Sequence, residues 1–395
     1  MNITTVKKAK KRVDFPVITN LGIMSYGENN LYPQEIKNLA GSSDSAGSCI
    51  ERYIDFIEGW GLADVVFSEL KLNQNGETAD DLISLISNDV GNFGGLALHI
   101  NYNVFGKIVE IQHIPFENCR LQEPDEHGKI DKIAIHIDWT GKTKRAGKFV
   151  RVEKSNIDYI NIFNPATVQQ EIEANGGIEN YKGQVLYTSN AGINVYPVPK
   201  HDKVIPQMST EDGLGYVSNL NVNNGFMTAG LLFVNEALDT VDTSVEGVEN
   251  NVVKDSIAEQ ITNIKSAENT ASMGIIRPKD NVSIDDIDKF FKFVNLKGNN
   301  YDKDFTITTA TATEKIYAAF NQEVFYRIRS GSMGFSTQIM SEAYEFYNTV
   351  TGKERRMIER AFDKIMKYWN GKIFTDFTIK PMKYISAANG NTSNK

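Results

Sequence analysis

Side chains able to do chemistry are few and scattered in this sequence. The histidines are His99, His113, His127, His136 and His201, and the cysteines are Cys49 and Cys119. A metal site needs several such ligands to converge, and neither a CxxC pair nor HExxH occurs. His99, His113 and His136 fall at alternating positions of strand-like segments, where imidazoles are structural. Two cysteines without close spacing fit a reducing compartment rather than a disulfide scaffold. Asp285, Asp286 and Asp288 cluster, but without the glycine and distal glutamate of an EF-hand. They read as a solvated loop or a helix start. GxxxxGK[ST], GxGxxG after a strand and GxSxG are missing too, so neither a phosphate-cradling loop nor a nucleophile elbow is written here. No pair of carboxylates is singled out for hydrolysis. The expectation is a protein that is not an enzyme, with no cofactor and no metal; a metal-dependent nuclease with dispersed acids is the enzymatic alternative.

Charge narrows the remaining classes. Lys plus Arg is 42 and Asp plus Glu is 50, a net charge of −8. Broad gripping of nucleic acid needs clustered cations and is not expected from this balance. The one basic run read from the sequence is Lys7, Lys8, Lys10, Lys11 and Arg12. It is either a solvated arm or an arm that meets an acidic surface or nucleic acid. With 395 residues, 41% of them hydrophobic, the chain can build two or three cored units or one elongated subunit. No apolar run is long enough to span a membrane, and the first residues lack the apolar core of a secretory signal.

Hydrophobic periodicity places the elements. From Tyr32 to about Val90 the pattern is helical, with Ile50, Ile54 and Ile57 on one stripe, Asp44 as N-cap and Gly59 and Gly61 as a stop. A further helix runs from Ala79 to Val90 and ends at Gly91. From Phe93 to Pro199 the period becomes two: GLALHINY, KIVEIQHI, KIAIHIDW, FVRVEKS, YINIFN and QVLYTS predict an antiparallel sheet docked on those helices, with a hairpin turn at Asn103–Gly106. Gly213–Phe226 is a short polar helix or turn. GLLFVN, a helix from about Gly247 to Lys265 and ASMGIIRP form a strand–helix–strand unit, followed by extended FKFVNL and DFTITTA. Ile316, Phe320, Val324 and Ile328 share one i+4 stripe, which SGSMGFST interrupts. The last helical stretch carries Ala343, Tyr347, Ile358 and Phe362, and Thr351 with Glu354 could cap a second helix near Gly352. The tail SAANGNTSNK is polar, as disordered ends are.

In this order the segments resemble a tailed-phage portal protein. YGENNLYPQEI (Tyr26–Ile36) is similar to the aromatic-Gly-x-x-Asn-x-x-Pro stretch of several portal families, and a helix with a FIEGWGL exit follows. FGGLALHINYNVFGKIVEIQHIPFENCRL (Phe93–Leu121) resembles their wing β-hairpin, with its Gly-Lys turn, His-Ile-Pro and arginine. GLGYVSNLNVNNGF resembles the segment leading into the stem, EKIYAAF the second stem helix, and Gly334–Ile365 the terminal helix. The stretch NQEVFYRIRSGSMGFST departs from the pattern by lacking a Val-Pro-Pro-like turn.

The resemblance implies an α+β, elongated portal fold. Its parts would be a basic arm (1–25), a wing of helices then antiparallel β (26–212), a first stem helix (213–226), a clip-like α/β insert with return strands (227–308), a second stem helix (309–328), a tunnel loop (329–337), a long C-terminal helix or crown (338–369) and a C-terminal strand and tail (370–395). It implies a twelve-fold ring at one capsid vertex, through which double-stranded DNA passes without sequence preference during packaging and ejection. The implied partners are further copies of the chain, the terminase large subunit, the major capsid protein and a neck or adaptor protein. A membrane is not among them. The location would be the virion, after assembly in the host bacterial cytoplasm. The channel loop would contain Arg327, Arg329, Ser330, Gly331, Ser332 and Gly334, and clip docking would use Gly230, Lys254, Glu259, Lys265 and Arg277. Arg327 and Arg329 read either as sparse basic rings or as inter-subunit salt bridges. The structural alternative is another head–tail or tail-shell component without stem and clip.

Overall fold

The computed structural model describes residues 13–145, 147–149, 151–192, 194–223, 230–233, 274–276, 293–295 and 301–385. The chain divides into two compact units, one of residues 1–205 with 314–395, the other of residues 206–313. The fold is α+β, and the second unit is an insertion in the first.

The first unit opens with the short pair β1 (Val17–Ile18) and β2 (Ile23–Met24), followed by α1 (Tyr32–Ser42) and α2 (Asp44–Glu58). The cap of α2 is Ser43, whose hydroxyl accepts from Ala46 N at 3.3 Å, so Asp44 is the first helical residue rather than the cap. The helix stops at Gly59 with φ of 62°. A side chain there would strike the Lys380 carbonyl, because the C-terminal segment pairs with this exit through Trp60 N to Lys380 O at 2.8 Å and Lys380 N to Gly61 O at 2.9 Å.

After α3 (Val65–Ser68), α4 runs from Ala79 to Phe93, capped by Thr78 and Asp81 in reciprocal bonds and closed by the left-handed Gly94. Gly91 therefore does not end the helix. It sits inside α4 where Ile54 of α2 comes so close that a Cβ would clash.

Six strands follow in one sheet: β3 (Gly95–Tyr102), β4 (Ile108–His113), β5 (Cys119–Leu121), β6 (Lys132–Ile135), β9 (Asp158–Ile162) and β10 (Gln184–Ser189), ordered β4-β3-β10-β9-β6-β5. The β9–β10 pair is parallel, so the sheet is mixed. The reason is the crossover helix α5 (Val168–Ala174), which the period-two reading passed over and which lets the chain re-enter the sheet in the same direction. Of the described residues of FVRVEKS, Phe149 alone is in a strand, closing β8 (Lys148–Phe149) of a small hairpin with β7 (Lys144–Arg145). The β3–β4 turn is as expected: Asn103 Oδ1 accepts from Phe105 N and Lys107 N, and Gly106 has φ of 72°.

In the second unit, α6 spans Ile205–Asn223, starting well before Gly213. The strands β11 (Gly230–Phe233), β12 (Gly274–Ile276) and β13 (Phe293–Asn295) form a sheet in the order β12-β11-β13, with β11 and β12 parallel. A parallel pair needs a long crossover between its strands. The helix expected over 247–265, Asp285–Asp288, the basic arm and the last ten residues lie outside the described residues.

The return helix α7 covers Tyr301–Ala319, so DFTITTA is helical and not extended. Its β-branched residues disfavour helix by only a few tenths of a kcal/mol each, which the following ATATEKIYAA overrides. The chain then breaks at Asn321 (φ 55°) and resumes as α8 (Glu323–Arg329). Ile316 and Phe320 are buried, but in α8 the buried residue is Phe325, not Val324 or Ile328; the break rotates the stripe by one position. Finally α9 is one continuous helix, Thr337–Met366, capped by Ser336. Thr351 and Glu354 do not cap a second helix inside it. Both are buried, with the Thr351 hydroxyl directed to backbone carbonyls including Phe56 O at 3.3 Å. The core of the first unit lies where α4 covers the sheet and where α2 meets both α4 and α9.

Candidate functional site

The residues between α8 and α9 form a short exposed loop held by its own backbone. Arg327 O accepts from Met333 N at 3.0 Å and from Ser330 Oγ at 3.2 Å, and the Ser330 and Ser332 hydroxyls meet at 2.9 Å. Gly331 has φ of 74°, where a side chain would be strained, although a Cβ at either Gly331 or Gly334 would point into open space. Phe335 is 68% exposed. Arg327 projects to solvent, whereas the Arg329 guanidinium donates to the Tyr317 hydroxyl at 2.9 Å. These loop residues thus come together in space. The positions assigned to clip docking do not form a described group: Gly230 starts β11, and Lys254, Glu259, Lys265 and Arg277 lie outside the described residues.

The loop is anchored by a junction that sequence reasoning missed. Gln322, fully buried in the α7–α8 break, donates from Nε2 to Cys49 O at 2.8 Å and to the Tyr347 hydroxyl at 2.6 Å. Its Oε1 accepts from Arg52 Nη1 at 2.8 Å. One amide therefore fixes α2, α8 and α9 to each other. Nearby, Glu354 accepts from the Tyr53 hydroxyl at 2.7 Å and lies 3.4 Å from Lys200 Nζ, which sits over the Tyr53 ring. Burial raises the Tyr53 pKa and lowers that of Lys200, while Glu354 favours the charged lysine.

Motif residues far apart in the first unit also meet. Arg120 is fully buried and donates to Asn30 Oδ1 (2.6 Å), Asn30 O (2.7 Å), Glu117 O (2.9 Å) and Cys119 O (2.8 Å). Asn30 adopts φ of 64° to present both oxygens. Tyr26 stacks on Tyr196 and Tyr32, and its hydroxyl donates to Pro197 O. This cluster is a structural keystone.

Among the described residues no His, Cys, Asp and Glu group could hold a metal ion, and no helix is long and apolar enough to cross a membrane. His113 pairs with Asp89 at 2.7 Å, and His136 Nδ1 accepts from Asp138 N. Both cysteines are buried, and burial pushes the Cys119 thiol far above its usual pKa.

No protein-family model matches the sequence, and neither does any curated protein. Solved structures do. A chain in the virion of a native gene transfer agent particle is similar over 88% of this chain and 83% of its own, at 12% identity and a TM-score of 0.47. A chain in the neck of such a particle, computed with C12 symmetry, matches over 86% and 82%, at 12% identity and 0.46. An HK97-family phage portal protein from Corynebacterium diphtheriae matches over 75% and 84%, at 8% identity and 0.28.

Proposed function

We propose that this chain is a portal subunit: copies of it close into a ring at a capsid vertex, and double-stranded DNA moves through the axial channel. The observation that carries the reading is the pair of helices bounding the inserted unit. Helix α6 leaves for the small sheet and α7 returns, and Thr313 Oγ1, near the end of α7, donates to Glu211 Oε1, in the second turn of α6, at 2.8 Å. That contact suits an antiparallel stem whose far end carries β11–β13. From Ser209 to Asn219 no residue of α6 is buried, and Gly213 and Gly215 each cost a helix about 1 kcal/mol. Such a helix needs neighbours to persist, and other copies in a ring would supply them.

In this reading the inserted unit is the clip that docks the packaging motor and later the neck protein, and Arg329–Thr337 is the channel loop. The loop's local hydrogen bonds and lack of apolar packing suit a segment that yields as DNA passes. The chain itself would perform no covalent chemistry.

Negative-stain imaging of the purified full-length protein tests the ring. Rings with an axial hole are expected; a stable monomer at micromolar concentration across salt conditions refutes it. Replacing residues 227–280 by a short linker should leave the first unit folded and abolish motor docking in a pull-down. Rings that dock the motor equally well without the insert would favour a tail-shell component instead.

A further inference from the structure

We propose that the groove between α9 and the end of β10 is an anion site for the phosphodiester backbone of nucleic acid. Lys353, Arg356, Arg360 and Lys364 follow at intervals of three, four and four residues, which puts them on one face of α9. At about 1.5 Å rise per residue the stripe is ~16 Å long. All four side chains are exposed and border a groove of about 350 Å³.

Their charge is not neutralised by any described residue. None of the four forms an ion pair among the described residues. The three acids within the stripe's span are turned to other tasks: Glu354 holds Tyr53 and Lys200, Glu359 accepts from Ile379 N, and Asp363 pairs with Lys367. Behind the stripe, Arg355 adds a further cation, with its guanidinium on the Phe56 and Asn348 carbonyls.

The opposite wall supplies neutral donors. Thr188, Ser189 and Asn190 are half-buried, and their side chains make no hydrogen bond among the described residues. Hydroxyl and amide groups beside lysine and arginine are the set that contacts phosphate oxygens. Among the described residues no aromatic ring lines the groove, so its lining offers no platform for base stacking. The chemistry is that of a sequence-independent backbone contact. That the backbone belongs to a packaged duplex rests on the portal reading.

The test uses full-length protein and labelled duplexes of about 30 bp in two unrelated sequences, followed by fluorescence anisotropy from about 50 to 200 mM salt. Both sequences should bind equally. Each neutralised phosphate contributes about 0.9 to the slope of log K against log salt, so R356Q/R360Q and K353Q/K364Q should each lower it by ~1.8. At about 50 mM salt that is roughly tenfold in affinity per contact. K129Q/K132Q, on a different surface, should bind as the parent does. Circular dichroism checks the fold, and K353Q alone, reading ~0.9 in slope, replaces any double variant that misfolds. Unchanged slopes in the groove variants overturn the site. So does poly-glutamate displacing the duplex at equal charge, which would make the groove an acidic-peptide site. Ring imaging is scored separately: rings without groove-dependent binding defeat this site alone, and groove-dependent binding without rings defeats the portal reading alone.

Discussion

Arg120→Met separates two forces that act on the same buried cation. Arg120 has no carboxylate partner among the described residues; its guanidinium faces carbonyl oxygens, 4.9 Å from the Trp139 ring centroid and 5.6 Å from that of Tyr26. Methionine keeps the length and removes the charge. If desolvation of the cation dominates, the variant is as stable as the parent or more so. If the carbonyl contacts dominate, it is weaker. The structure decides which acceptors suffer. Asn30 Oδ1 keeps Tyr26 N at 3.0 Å and Glu117 O keeps Gln34 Nε2 at 3.1 Å, but Asn30 O has no other donor among the described residues. One orphaned carbonyl costs about 1–3 kcal/mol, and the lost charge-assisted bonds bring the total to about 3–5 kcal/mol. Relief of desolvation returns about 1–2 kcal/mol, leaving a net loss of about 2–3 kcal/mol. With a urea slope of about 3 kcal/mol/M, the midpoint should fall by about 0.7–1 M. Fluorescence of the buried Trp139 reports the transition where it matters. Arg120→Lys should lose at least about half as much, because a point ammonium cannot serve oxygens on several sides of a planar fork. A midpoint for Arg120→Met equal to or above the parent's refutes the argument.

Three further outcomes follow from buried groups. His201 is stacked on Phe320, neither ring nitrogen has a partner among the described residues, and burial pushes its pKa down to about 4. The unfolded chain takes up a proton that folded His201 refuses, so its contribution is complete above about pH 6.5 and falls by about 3 kcal/mol on acidification to pH 4; denaturation at a series of pH values should show His201→Phe lacking that part of the slope. Gln322→Leu leaves Cys49 O and Arg52 without their amide and should cost about 3 kcal/mol in denaturant titrations, with faster hydrogen exchange in α8. Gly91→Ala should lower the melting temperature although alanine is the better helix former by about 1 kcal/mol, and shortening Ile54 to valine in the same chain should recover part of the loss.

What could be read from the sequence was whatever depends on short-range pattern. The Ile50–Ile57 stripe, the Asn103 turn and the strands β3, β4 and β10 are each set within about ten residues, and the structure has them, although β3 and β10 bury successive residues rather than alternate ones. What could not be read depends on partners far along the chain. Gly91 looks like a helix stop until Ile54 is known to lie against it. Asn30 and Arg120 stand ninety residues apart in two separate motifs, and nothing in either motif shows that the two side chains meet. DFTITTA has strand-forming residues, yet it is wound into α7. Gln322 reads as loop filler between two apolar residues of a regular stripe, and only the bend at Asn321 makes it the point where α2, α8 and α9 are joined.

The basic groove shows the same limit for charge. A net −8 describes how the whole chain behaves in a field, and it disfavours broad adhesion to a polyanion. It is silent about a stripe on one helix face. In the sequence GKERRMIERAFDKIMK, six Lys or Arg are interleaved with three acids, and the order along the chain does not show which of them share a face. Helical phase separates them: Lys353, Arg356, Arg360 and Lys364 share a face, while Glu354, Glu359 and Asp363 turn to Tyr53, the Ile379 amide and Lys367. Under the proposed portal reading, a wall that lets a duplex slide cannot hold it by many such stripes, because each phosphate contact has to be broken before the next is made. One local stripe in an otherwise acidic chain would give the proposed site a weak hold that salt can tune, and the slope of binding against salt would measure how many contacts it makes.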